Sequence, residues 1–176
     1  MISNKSKIIS YILNLLILVF TFFLLVYVYP PSPEFPKPPS DFVQSFEPAD
    51  VETPPRRGYY TNMSRQQVIE HYEKEFNLGF IYTPRLNYPP EEAQTIIRDQ
   101  TKSTFLEEIV HPLRESLYVN GFEPKEEQYA QYYEGTRYNQ KIIVRYVPSQ
   151  LIERISIVLL ISVCLFLFKM LIVNKK

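Results

Sequence analysis

Apolar residues gather in two long runs, Ile8 to Tyr29 and Ile155 to Val173, and the stretch between them is polar. A bilayer's hydrocarbon core is about 30 Å thick and takes roughly 20 residues at about 1.5 Å each. Both runs meet that length, the first without a single charge. The pattern predicts transmembrane helices over 8–29 and 151–173, with short tails at 1–7 and 174–176. A cleaved signal peptide is the rival reading of the first run. Its apolar region exceeds the roughly 7–15 residues usual there, and Val26-Tyr27-Val28-Tyr29-Pro30 offers no small-x-small cleavage pattern. Retention is therefore expected, with Tyr27 and Tyr29 in an interfacial aromatic belt.

The polar middle opens on Pro30-Pro31-Ser32-Pro33-Glu34-Phe35-Pro36-Lys37-Pro38-Pro39, and prolines recur at Pro48, Pro54 and Pro55. Proline fixes φ and removes a backbone donor, so 30–55 predicts an extended stalk or a strap across a domain surface. A folded domain is expected over 56–150. Ser64 and Gln67 form a capping-box pattern, and Val68, Ile69, Tyr72 and Phe76 recur at helical spacing, which predicts an amphipathic helix over about 64–77. Leu78-Gly79-Phe80-Ile81-Tyr82 reads as a glycine stop and a short strand that ends at Pro84.

Pro89-Pro90-Glu91-Glu92 suits a helical first turn, continued by Ala93, Ile96 and Ile97. Phe105, Ile109, Leu113 and Leu117 extend a four-residue period, so a second helix is expected there, kinked at Pro112. Val119-Asn120-Gly121-Phe122 resembles Asn77-Leu78-Gly79-Phe80 and suggests shared turn chemistry. Tyr138 to Val147 is rich in β-branched and aromatic residues. It reads as a strand with Ile142, Val144 and Tyr146 on one face and Lys141 and Arg145 on the other, after a turn at Glu134-Gly135. These elements predict an α+β fold. A small outward-facing domain of two or three helices packs on a short antiparallel sheet, flanked by N- and C-terminal transmembrane helices. Val147 lies close to the second span in sequence, whereas the proline segment separates the first span from the domain. The domain is therefore expected to ride chiefly on the second helix.

Charge sets the expected direction. The chain is neutral overall, yet Lys5, Lys7, Lys169, Lys175 and Lys176 sit at its ends, while over 30–150 acids exceed bases, 18 to 13. Lysine and arginine in short flanks stay on the cytoplasmic side, so both termini are expected in the cytoplasm and the middle outside, in a multi-pass cell-membrane protein with two spans. An acidic middle disfavours nucleic acid as a partner. The single cysteine, Cys164, falls in the second span, so the domain can form no disulfide and offers no cysteine ligand.

Chemical signatures are few. Glu108-Ile109-Val110-His111 is an E-x-x-H, but carboxylate-bridged metal sites need two such units and further glutamates, and His71 is the only other histidine. No catalytic, cofactor-binding or metal residues are assigned, and no cofactor is expected. Glycines number four, too few for phosphate-cradling loops. Tyrosine offers a large rigid contact surface with a polar tip, so Tyr129, Tyr132, Tyr133 and Tyr138, with Arg56, Arg57, Tyr59 and Tyr60, form the candidate interaction surface. The competing assignment places these tyrosines at the edge of a small core. In the spans, Ser10, Asn14 and Thr21 lie near one helical face. Asn14 and Lys169 come to similar depth as a candidate interhelix contact, against a lysine that simply snorkels to the interface.

Leu86-Asn87-Tyr88-Pro89-Pro90-Glu91-Glu92-Ala93 and His111-Pro112-Leu113-Arg114-Glu115-Ser116-Leu117-Tyr118-Val119-Asn120-Gly121-Phe122 resemble stretches of uncharacterised two-span membrane proteins from uncultivated bacteria. The resemblance implies a bacterial cell-membrane setting and no particular activity. The expected function is a membrane-anchored binding or assembly module, an accessory subunit of a cell-envelope complex. Its expected partners are the lipid bilayer and a protein in the membrane or envelope, with oligomerisation left open. An envelope hydrolase using glutamates and a sensor relaying through a membrane partner are the alternatives.

Overall fold

A computed structural model describes residues 4–79, 82–97 and 102–174. The fold is α+β, with an antiparallel sheet and an apolar helix toward each end of the chain. Two compact units separate: Met1–Ser32 with Ser149–Lys176, and Pro33–Pro148.

The first unit is a pair of helices, α1 (Asn4–Val28) and α4 (Leu151–Asn174). Both are long and apolar enough to cross a membrane, over Lys7–Val28 and Leu151–Val173. They run antiparallel, since Val28 meets Arg154 while Thr21 meets Ser162. The Thr21 and Ser162 hydroxyls lie 2.8 Å apart, and each is also 2.8 Å from the carbonyl four residues earlier in its own helix. Either hydroxyl can thus donate across the pair while the other donates along its own helix. At the far end, Arg154 donates to the Val28 carbonyl at 3.0 Å and the Pro30 carbonyl at 2.8 Å.

The second unit is built on a six-stranded antiparallel sheet. Its strands are β1 (Val43–Ser45), β2 (Arg56–Thr61), β3 (Arg85–Tyr88), β4 (Phe105–Val110), β5 (Ser116–Phe122) and β8 (Gln140–Val147), in the order β1-β2-β8-β5-β4-β3. A separate hairpin joins β6 (Gln131–Tyr133) to β7 (Thr136–Tyr138). Side chains alternate between the faces of the sheet. Tyr59, Phe105, Ile109, Leu117, Val119, Ile142, Val144 and Tyr146 face α2 (Arg65–Glu75) and pack on its Val68, Ile69 and Tyr72, with Phe76 at its end. The capping box forms, Ser64 and Gln67 each satisfying the other's backbone N–H. On the opposite face Leu106 and Ile143 pack with Ala93 of the short α3 segment (Ala93–Ile96) and with Ile97 directly after it; α3 follows a 3-10 turn at Pro90–Glu92.

Several expectations need correction. The span from Phe105 to Leu117 is two strands of a hairpin rather than a kinked helix, so one full helix and one short one cover a larger sheet than expected. Pro112 sits in the turn between those strands, closed by a hydrogen bond from Arg114 N–H to the His111 carbonyl. Gly121 lies inside β5 and shares no turn chemistry with Gly79, which has φ 77°. Of the strand expected at Leu78 to Tyr82, Phe80 and Ile81 fall outside the described residues; the observed strand begins after Pro84, at Arg85.

The proline-rich segment is part of the second unit from Pro33 onward. Tyr146 donates its hydroxyl to the Pro33 carbonyl at 2.9 Å, and His71 Nε2 donates to the Lys37 carbonyl at 2.8 Å. Phe35 meets Tyr146 edge-on, and Phe42 packs beside Tyr59 and Tyr72. The segment is a strap with aromatic anchors, so the expected difference between a long leash and a short mount is not what the fold provides. Only residues 29–32 separate Val28 from Pro33, and only 148–150 separate Val147 from Leu151.

Candidate binding surface

Residues 123–139 leave the sheet after Phe122 and return to it at Gln140. Since Phe122 pairs with Lys141, this excursion lies at the end of the sheet opposite Val147. Its hairpin turns at Glu134 (φ 49°) and Gly135 (φ 79°), the two left-handed residues that a two-residue turn with the proper strand twist demands. Alternation then separates neighbouring tyrosines. Tyr133 points inward and stacks on Tyr60 with ring centres 4.8 Å apart, and Tyr138 leans on the same ring at 5.6 Å. Tyr132 points out and is 58% exposed.

Beneath the hairpin, Tyr60 is buried and donates its hydroxyl to Glu47 at 2.8 Å. Lys141, its register partner across the sheet, reaches Glu47 at 2.6 Å and Asp50 at 2.7 Å. Asp50 lies against the bare Cα of Gly58, where a β-carbon would come within 2.5 Å of its carboxyl carbon. Burial, reinforced by the Glu47 carboxylate, pushes the Tyr60 hydroxyl up to about 12. The hydrogen bond from Lys141 holds the Glu47 carboxyl below its ordinary range. Because the Tyr60 value is raised on folding, its contribution is fully present below about pH 10 and is lost as the pH climbs from there toward 12. The second unit is expected to melt at progressively lower temperature across that window. Tyr60→Phe should flatten part of the slope in a pH series of thermal melts, and an unchanged slope would detach Tyr60 from the alkaline transition.

The predicted surface residues therefore divide. Tyr60, Tyr133 and Tyr138 come together as the mount of the hairpin. Tyr59 turns to the other face and into the core. Arg56 is buried in β2, beside Arg145 in the register. Arg57 donates to the Pro54 and Arg56 carbonyls and lies 5.5 Å from the Phe35 ring centre. Tyr129 and Tyr132 alone of the eight present large exposed rings. Around them Lys102 Nζ sits 4.1 Å from the Tyr129 ring centre, and Arg137 pairs with Glu127 at 2.7 Å. A shallow concavity of about 420 Å³ beside Tyr129 is lined by Lys102, Thr104, Phe122 and Lys125, among others. In the sequence Lys141 reads only as part of a polar strand face, and Glu47 and Asp50 are not singled out. Lys141 and Arg145 on one side of the strand announce a polar face, but not the two acids, 94 and 91 residues before Lys141, that fold against it.

Other candidate chemistry is satisfied internally. Glu108 and His111 share no helical face: Glu108 lies in β4 and accepts from Tyr88 at 2.5 Å, while His111 follows the strand. His111 stacks on Phe76 at 4.2 Å, with Nδ1 2.9 Å from Glu115 and Nε2 donating to the Phe76 carbonyl at 2.6 Å. Glu107 faces α2, held by Arg65 at 2.6 Å and Arg85 at 3.0 Å. Adjacent strand residues point to opposite faces, so Glu107 and Glu108 do not form a carboxylate pair. The hydrogen bond to Glu108 raises the Tyr88 hydroxyl well above its ordinary value, and burial with the same carboxylate raises that of Tyr118. In the first unit, the antiparallel register that pairs Thr21 with Ser162 brings Asn14 level with Lys169, each seven residues away. Asn14 is exposed, and Lys169 Nζ lies 5.2 Å from the Phe166 ring centre.

No known protein family, curated protein or solved structure matches the chain.

Proposed function

We propose that this chain is a two-span membrane protein of the cell envelope with both termini cytoplasmic. Its central unit is an extracytoplasmic binding and assembly module that serves as an accessory subunit of a larger complex. The observation that carries this reading is the hairpin at the end of the sheet remote from Val147, which shows Tyr132 outward on a rigid three-ring mount. Large aromatic rings fixed at low entropic cost are what protein interfaces use as anchors. The two apolar helices support the membrane setting, and the lysines at the chain ends support its direction. The buried acids face separate donors, which favours a recognition surface over a glutamate-based hydrolase.

A cysteine placed at Tyr132 in a Cys164→Ser chain should react with an impermeant maleimide in intact cells; reaction only after permeabilisation would reverse the topology. Combining Tyr129→Ala with Tyr132→Ala should weaken the complex captured by photo-crosslinking from position 137 by about tenfold or more. The thermal melt of the domain should hold. An unaltered complex would remove this surface from the reading.

A further inference from the structure

The chain enters and leaves the central unit at one edge of its sheet, since the Tyr146 hydroxyl bonds the Pro33 carbonyl and Val147 follows directly. Neither connection to an apolar helix has more than four residues, so at about 3.3–3.6 Å per residue each spans less than roughly 20 Å. The pairing of Ser116 with Val147 puts the β4–β5 turn at that same edge. A hydrogen bond from Val110 N–H to the Pro84 carbonyl brings the segment starting at Tyr82 there as well.

Exposed apolar side chains stand at that edge beside the charged Arg114. In the turn from His111 to Arg114, Pro112 takes the second position and Leu113 the third, with φ 61°. Glycine or asparagine ordinarily fills such a left-handed position, and a leucine there is strained. Leu113 keeps 38% of its surface exposed, beside an exposed Pro112, and Tyr82 is 84% exposed. In water the exposed part of this strained leucine gains nothing, whereas contact with lipid would cover it in an apolar environment. Tyrosine in turn suits the headgroup level, with an apolar body and a polar tip.

We propose that Pro112, Leu113 and Tyr82 form a rim that rests the central unit on the outer surface of the bilayer, with lipid as its occupant. This rests on the two-span reading above. It adds a lipid contact made by the central unit itself.

The chain contains no tryptophan, so single replacements report cleanly. The full chain is reconstituted in phosphatidylcholine vesicles with and without nitroxide-labelled phosphatidylcholine. Leu113→Trp should show blue-shifted emission and lipid quenching comparable to Tyr29→Trp, at the end of the first span, while Tyr132→Trp should be quenched only by aqueous iodide. A second pair guards against misfolding. In the Leu113→Gly background, which suits the backbone, the lipid quenching of Tyr82→Trp should fall while the melting temperature holds or rises. Red-shifted, iodide-quenched emission from both Leu113→Trp and Tyr82→Trp, with Tyr29→Trp still quenched by lipid, would overturn the rim alone. Loss of lipid quenching at Tyr29→Trp as well would overturn the two-span reading and the rim with it.

Discussion

Gly121→Val is expected to cost the central unit about 3–5 kcal/mol, enough to unfold a domain whose whole stability is of the order of 5–15 kcal/mol. Valine is a good strand residue, and Gly121 sits mid-sheet between β4 and β8, so propensity alone would favour the change. Space decides otherwise. A β-carbon at Gly121 would lie 2.0 Å from Phe105 Cε1 and 2.3 Å from Cζ, because the Phe105 ring lies flat on the glycine backbone. Phe105 is 1% exposed and belongs to the main core, so it cannot swing aside without displacing its neighbours or leaving the interior. Ejecting it forfeits what a buried phenylalanine contributes, which is where the 3–5 kcal/mol comes from; the few tenths gained from strand propensity do not compete. Denaturant unfolding should show the loss, and Phe105→Ala should recover part of it in the Gly121→Val background, giving a clear coupling energy in a double-mutant cycle. A Gly121→Val protein that melts at or above the parent temperature would show that the ring does not need that space.

The same ring explains where the sequence misled. Phe105, Ile109, Leu113 and Leu117 recur every four residues, and four is common to both periodicities: one helical turn and a bit, or two full strand repeats. What separates them is the residue in between. A half-buried strand would have shown an apolar residue at 107, but Glu107 occupies that inward position, neutralised there by Arg65 from α2 and Arg85 from β3. The alternation was hidden by a buried ion cluster whose cations are supplied by distant segments. Ser64 to Phe76, by contrast, was legible because its cap, spacing and stop are all local. Of the strand expected over Tyr138 to Val147, the part from Gln140 was legible because its β-branched and aromatic residues are adjacent in sequence, whereas Tyr138 closes β7 of the separate hairpin. In the candidate surface, part of the tyrosine cluster does come together in space, yet only the two-residue turn at Glu134-Gly135 decides which of Tyr132 and Tyr133 faces out. The strap was half legible: proline announced extended chain, but its docking depends on Phe35, Phe42 and Tyr146 meeting across the fold.

Arg154→Leu should loosen the pair of apolar helices by about 2–4 kcal/mol, more than loss of any other polar side chain described between them. A helix ends with carbonyls that have no partner of their own, and in an apolar setting water does not replace one. At the end of α1 the Arg154 fork supplies what Pro30 and Pro31 cannot, bonding the Val28 and Pro30 carbonyls and reaching the Ser32 hydroxyl at 3.4 Å. Its positive charge also meets the negative end of the α1 dipole. The residue is 3% exposed, so removing it strands two acceptors at roughly 1–3 kcal/mol each. Breaking the Thr21–Ser162 contact with Thr21→Val is a milder change, about 0.6–2 kcal/mol, because the Ser162 hydroxyl keeps its own helix carbonyl as a partner. Unfolding the full chain in mixed micelles by raising the mole fraction of dodecyl sulfate should therefore rank the variants, with Arg154→Leu the weakest, Arg154→Lys between it and the parent, and Thr21→Val nearest the parent. Lysine falls short because the two carbonyls accept from Nη1 while Nη2 reaches Ser32, and one ammonium lacks that second arm. Equal midpoints for Arg154→Leu and the parent would mean that water, rather than the guanidinium, satisfies the end of α1.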